Sequence, residues 1–309
     1  MDRRIWRQFD LVLVAIVILL TLYGVIMIFS ANQNQEDLRD LWRTQLVRAG
    51  IGLAVMVLVA AFDYRYYANL YKVFYVIMLL LLGTLFLAAE LTAGTLRWVD
   101  LLLFPVQPSE IAKIVVIITS AKILADRDGQ MDKLQNLLVS GVVVVPPLVL
   151  IYLQPDLGTT VIIAVVWLVM ALMGGIHLFH IGLLAIGGLI ASPLVWLTMV
   201  EYQRERVLLF LNPQANPDAY YNIQQALISI GSGGVLGKGF SIGTQNQLHF
   251  LRVRHTDFVF SVIGEELGLL GSILLFVIIL VLIWRVMMPT PRNTPSHWAA
   301  GTGLSASKK

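Results

Sequence analysis

The chain has no cysteine, five histidines, and charged residues at only 13% of its 309 positions. Without cysteine there is no disulfide framework, no thiolate metal site and no cysteine nucleophile, so a metal would rest on oxygen ligands or on the scattered histidines. Scarce charge beside 58% hydrophobic residues and a mean hydropathy of +0.78 excludes a soluble globular chain and intrinsic disorder alike. The formal charge is +3, from 22 Lys and Arg against 19 Asp and Glu. It gathers into no basic stripe or tail, so no nucleic-acid partner is expected. No internal repeat and no soluble domain is visible.

Long apolar runs are what the sequence has in abundance. Leu11 to Ser30 is about the length a helix needs to cross roughly 30 Å of hydrocarbon. Arg3, Arg4 and Arg7 imitate the start of a signal peptide, but the run is too long and no small-x-small cleavage site precedes Asn32, so it is read as an uncleaved first span. Further runs at about 44–62, 71–89, 109–125, 137–153, 158–174, 178–199 and 260–285 predict an all-α, polytopic bundle of eight membrane helices. The short segments on the N-terminal side of the membrane hold twelve Lys and Arg against five on the other, which puts both termini in the cytoplasm. Residues 1–285 then form one membrane-embedded domain with a long extracytoplasmic loop at about 200–259. Residues 286–309, with Pro289, Pro291 and Pro295 among Ser, Thr and Lys, read as a disordered cytoplasmic tail.

A loop of that length between spans is seldom a mere connector. Within it Ile223, Ala226, Leu227 and Ile230 recur at helical spacing, which predicts an amphipathic or re-entrant helix along the interface. Gly231, Gly233, Gly234, Gly237, Gly239 and Gly243 follow. Irregular backbone at that depth is tolerated where protein or a watery cavity surrounds it, so a cleft is expected. Ser232 to Gly239 imitates a phosphate-binding loop, yet Ser232 stands where the nucleotide pattern needs Gly, and Gly239 where it needs Ser or Thr. His177 and His180 lack an acidic neighbour and make a poor metal site.

A charged side chain at the bilayer centre costs about 2.5–3.5 kcal/mol on insertion scales, so each one near a span needs a partner or a task. Glu110 and Lys113 open the fourth run three residues apart, on one helix face. They form either a neutralised structural pair or a site at which Lys113, with Arg97, holds an anionic head group. Asp156, after Pro155, either caps a helix N-terminus or lines a polar cavity. Asp257 leads into the last run, as an N-cap or as a base in a partly dehydrated outer cleft. Glu265 and Glu266 lie deeper in that run, and two adjacent acids cannot both face lipid, so at least one must meet protein or water.

The stretches Arg97 to Asp100, Gln107 to Lys113, Gln154 to Thr159, Tyr202-Gln203 with Arg206, Tyr221 to Ala226, Gly231 to Gly239 and His255 to Gly268 resemble a known family in sequence and in order. It is the SEDS family of bacterial shape, elongation, division and sporulation proteins, most closely the RodA branch, and the likeness runs from the first span to about Arg285. It implies a ten-helix fold of the bacterial plasma membrane that polymerises lipid II into glycan strands for cell shape or division. It also implies a class B penicillin-binding transpeptidase as partner. It puts the family's essential acid on Asp257 and matches Glu110, Lys113 and Asp156 to polar positions of its central cavity. Past Arg285, where the resemblance implies two more helices, this sequence turns polar, so a chain lacking them is expected.

The implied reaction joins the anomeric carbon of a donor MurNAc to the 4-hydroxyl of an acceptor GlcNAc and releases undecaprenyl pyrophosphate. It needs a base, positive charge near the leaving group and a greasy groove for the lipid tails. Asp257 is expected as the base. Arg97, Lys113, Arg204, Arg206 and Lys238 are assigned from their charge to diphosphate or sugar, and Glu110, Asp156, Glu265 and Glu266 to structural or cavity-lining roles. No cofactor is assigned, although a divalent cation, Mg2+ or Mn2+, could share the work on the diphosphate. Two rivals would use the same features without making a bond: a flippase or transporter of lipid-linked precursors, and an inactive scaffold that recruits the transpeptidase because its C-terminus is truncated.

Overall fold

The computed structural model describes residues 10–33, 38–91, 98–101, 104–127, 130–212, 217–243 and 257–288. Arg97 and nearly all of the expected tail lie outside the described residues. The helices in chain order are α1 Leu11–Asn32, α2 Leu41–Ala60, α3 Tyr64–Asn69, α4 Tyr71–Leu91, α5 Pro108–Asp126, α6 Leu134–Leu153, α7 Leu157–Met173, α8 Leu178–Thr198, α9 Glu201–Leu211, α10 Pro217–Ser232 and α11 Val259–Met287. Among the described residues one antiparallel hairpin, β1 Val99–Leu101 with β2 Phe104–Val106, precedes α5 and pairs Val99 with Val106.

Every apolar run has become helix, because hydrocarbon offers no water to satisfy N–H and C=O groups and a helix satisfies them internally. Helices α1, α2, α4, α6, α8 and α11 are long and apolar enough to cross a membrane. The other two expected spans are α7, shorter at 17 residues, and α5, which carries Glu110, Lys113, Lys122 and Asp126 near its ends. Large apolar side chains such as Leu80, Val142, Ile190 and Leu280 stay exposed on these helices, as a lipid-facing surface requires.

The chain divides into two compact units. One comprises residues 1–61 and 213–309 and is built on α11. Met27 and Ala31 of α1 pack with Val262 and Ile263 of α11, and the Tyr23 hydroxyl donates to the Gly271 carbonyl at 3.3 Å. Phe29 and Trp42 meet edge to face, joining α1 to α2. The other unit, residues 62–212, has a core of Met78, Leu82, Ala112, Val116, Val144 and Ile163 from α4 to α7. A second cluster, Met131, Leu137, Ala171 and Ile176, joins α6 to α7 and the turns beside them. Trp167 fits over Gly141 and donates its indole N–H to Ser140 at 3.2 Å.

The two ends of the first unit's long helices are tied by charge. Asp10 caps α1 by accepting the Val12 and Leu13 N–H groups, each at 3.1 Å, and pairs with Arg285 in the last turn of α11 at 2.7 Å. The Arg285 hydrogen bond above all holds the Asp10 carboxyl below its ordinary 3.8, the backbone donors helping and burial opposing. The folded state therefore binds fewer protons there than the unfolded one. The stabilisation is complete above the ordinary carboxylate value and is lost as pH falls through the lower native one. Thermal melts of the detergent-solubilised protein should show a fall below about pH 4 that is shallower in Asp10→Asn, which should also melt lower at neutral pH. An acid limb and a neutral melting point both identical in the variant would show that the pair contributes nothing.

Candidate active site

Two polar clusters stand out, one in each unit. In the first, α11 is broken at Gly268, whose φ of 63° and ψ of −157° leave the helical region. A break strands the carbonyls before it and the amides after it. The glycine-rich segment that follows α10 satisfies both sets. Lys238 and Gly239 donate their N–H groups to the Glu265 and Glu266 carbonyls at 2.9 and 3.0 Å, while the Leu269 N–H donates to the Gly234 carbonyl at 2.9 Å. The approach is backbone to backbone. A Cβ on Gly233 would stand 1.9 Å from the Gly264 carbonyl oxygen, and one on Gly237, with φ of +78°, 2.1 Å from that of Glu266. These glycines exist for contact with α11.

Glu265 and Glu266 are both fully buried, so the expectation that at least one meets protein holds for the pair. Lys238 Nζ lies 2.8 Å from Glu265 Oε1. The Ser229 hydroxyl stands 3.1 Å from the Ser261 carbonyl and 3.2 Å from Glu265 Oε2. Glu266 Oε2 accepts the Ser241 N–H at 3.1 Å and the hydroxyl of Ser30 on α1. Lys238, assigned from charge to the diphosphate, is thus engaged by a buried carboxylate. Helix α10 turns small residues inward. Ala226 and Ser229 are buried, while Ile223 and Leu227 are exposed. Small residues let α10 approach α11 closely, and the apolar side is left for lipid.

Asp257 is exposed on the turn that leads into α11. Phe258 occupies the N-cap position and no side chain caps the helix, which sets the capping reading of Asp257 aside. Asp257 stands about two helical turns ahead of the segment that the glycine clamp fixes.

In the second unit, the starts of α5 and α7 meet. Asp156 caps α7, accepting the Thr159 N–H at 3.1 Å and the Thr159 hydroxyl at 2.9 Å, and it also accepts the Gln107 side-chain N–H at 3.1 Å. Gln154 donates to the Leu82 carbonyl of α4 at 2.9 Å. Lys113 pairs with Glu110 at 2.8 Å, three residues apart as the sequence suggests. Arg204 donates to the Trp196 and Leu197 carbonyls that end α8, at 3.2 and 2.9 Å, and exposed Arg206 lies over the Tyr202 ring, 4.6 Å from its centroid. Asp156→Ala should therefore cost about 1–2 kcal/mol, read as a lower melting temperature that Asp156→Asn, which can still cap, largely restores. Equal melting of all three proteins would remove the cap from the account.

Gln107, Gln154, Ser30 and Ser241 were not singled out from sequence. The two glutamines carry a usable signal, since each precedes a proline at a helix start. Ser30 carries none, because its partner lies 236 positions away. Among the described residues no three His, Asp or Glu side chains gather to hold a cation. His177 caps α8 through the Phe179 N–H.

A polytopic helical membrane protein, with acids buried against a broken helix and one exposed at its head, is the class that fold and site define. The cell cycle protein family of FtsW, RodA and SpoVE matches residues 10–300, and the chain belongs to it. Peptidoglycan glycosyltransferase MrdB of Escherichia coli K12 is 36% identical over 278 residues, covering 89% of this chain and 74% of that protein. The probable peptidoglycan glycosyltransferase FtsW of Geobacter sulfurreducens is 32% identical over 295 residues, covering 90% and 77%. Among solved structures, a chain from work on the structural coordination of polymerization and crosslinking by a peptidoglycan synthase complex superposes with a TM-score of 0.72. It shares 27% identity, with 90% of this chain and 77% of that one covered.

Proposed function

We propose that this protein is a peptidoglycan glycosyltransferase that polymerises lipid II on the outer face of the bacterial plasma membrane. The observation that carries the reading is 36% identity, across 89% of the chain, to a protein named for that activity. In the reaction, the acceptor sugar's 4-hydroxyl oxygen attacks the donor's anomeric carbon. The bond from that carbon to the pyrophosphate oxygen breaks, and the hydroxyl proton passes to Asp257. The leaving undecaprenyl pyrophosphate carries its negative charge away, and no nucleotide is consumed. Exposure of Asp257 suits a base that must meet an incoming hydroxyl, and the clamp behind it fixes the helix on which it rides.

Charge developing on the diphosphate calls for cations. Arg206 suits this best by its contacts, because a guanidinium stacked on Tyr202 still presents N–H donors in its own plane. Lys113 remains tied to Glu110 and serves as a positioning group. The likeness to a chain of the peptidoglycan synthase complex supports a crosslinking partner, a class B penicillin-binding transpeptidase. Purified protein in liposomes, given fluorescent lipid II and no partner, should yield a glycan ladder on a gel. Monomer alone, with ladder appearing in a parallel reaction of the Escherichia coli relative, would favour the idle scaffold.

A further inference from the structure

The second unit holds a cavity of about 510 Å3 between α4, α5 and α6, which takes its α5 lining from Thr119 onward, past Lys113 near the start of that helix. It lies where α4 and α6 begin and α5 ends, the face whose loops carry the excess of Lys and Arg and which is read as cytoplasmic. Its walls are Val76, Ile123, Val139 and Val143, and its lining includes the cations Lys72 and Arg127. Among the described residues the one lining acid, Asp126, is paired with Lys122 at 2.5 Å. Arg127 donates to the Asn136 side-chain oxygen, which fixes the guanidinium. Tyr75 donates to the Val143 carbonyl at 2.7 Å, bracing α4 against α6.

Two further observations point to an amphiphilic ligand. Thr119 lines the cavity, is 2% exposed, and its hydroxyl has no partner among the described residues. Such a group costs free energy until a ligand or water satisfies it. Val76 and Val139 are 54% and 37% exposed, so the cavity opens through an apolar rim on the lipid-facing side of the helices. A soluble anion would have to cross that rim, whereas a lipid already has its chains there. We infer that this cavity binds an anionic phospholipid of the cytoplasmic leaflet, its phosphate between Lys72 and Arg127, an ester or phosphate oxygen near Thr119, and an acyl chain along the valines. Basic pockets between membrane helices on this side recognise such heads.

The test uses the full chain in neutral detergent, with bound lipid counted by native mass spectrometry during titration with short-chain phosphatidylglycerol or phosphatidylcholine. Wild-type protein should prefer phosphatidylglycerol. Lys72→Gln/Arg127→Gln should weaken that binding roughly 25-fold, about fivefold for each cation, and Lys133→Gln, a cation outside the cavity, should leave it unchanged. Val143→Trp, which fills the cavity and keeps both charges, should also lose the bound lipid. It serves as the deciding variant if the double charge variant does not elute and melt as the wild type does. Equal affinity for the two lipids, a preference that survives both variants, or displacement of phosphatidylglycerol by an equal concentration of glycerol 3-phosphate would each overturn the assignment.

Discussion

Lys238→Ala should destabilise the protein by about 3–5 kcal/mol, the usual result of stranding one member of a buried ion pair. Glu265 has no exposure and Lys238 Nζ lies 2.8 Å from its carboxylate. Without that cation the carboxylate keeps Ser229 but loses the ammonium beside it while remaining fully buried. Lys238→Ala/Glu265→Gln should recover part of the loss, because the neutral amide no longer needs the ammonium, so the two changes will not add. Denaturation in a detergent series would measure this cycle. A Lys238→Ala protein that melts as wild type and merely binds lipid II more weakly would return the residue to the diphosphate.

Asp257→Asn should behave in the opposite way, keeping its melting temperature and losing its turnover. The exposed side chain does not cap α11, so little stability depends on it. Removing a general base typically costs 10²- to 10⁴-fold, roughly 3–5 kcal/mol of barrier. Initial rates of glycan formation at equal amounts of inserted protein would read this directly. Asp257→Glu, with a carboxylate displaced by one methylene, should fall between the two. Full activity of Asp257→Asn would exclude that carboxylate as the base, whatever else the protein does.

Much of this architecture is legible in the sequence, because hydrocarbon leaves a chain few options. Each of the eight apolar runs lies within a helix, to within a few residues at its ends. The Glu110/Lys113 pair and the Asp156 cap are local, set by spacing along one helix or one turn, and were readable for that reason. The inward face of α10 was not. Spacing marks the apolar stripe but not which of its members meet protein: Ala226 is buried, while Ile223 and Leu227 stay exposed. The role of the glycine-rich segment was hidden as well, since it depends on a break at Gly268 some thirty positions later, and only the two together account for Gly233 and Gly237. The Ser30 contact with Glu266 and the α4–α5–α6 cavity likewise join residues with no spacing relation that a single sequence could reveal.

This chain forms a glycosidic bond, where a transporter would only move the lipid. Sealed vesicles containing the purified protein, with fluorescent lipid II supplied to one leaflet, test it most directly. Polymer should accumulate in the leaflet presented to Asp257, with undecaprenyl pyrophosphate released in step and no rise of label in the opposite leaflet. Unpolymerised lipid II arriving in the far leaflet, with no glycan in either, would contradict the account and make the protein a translocator.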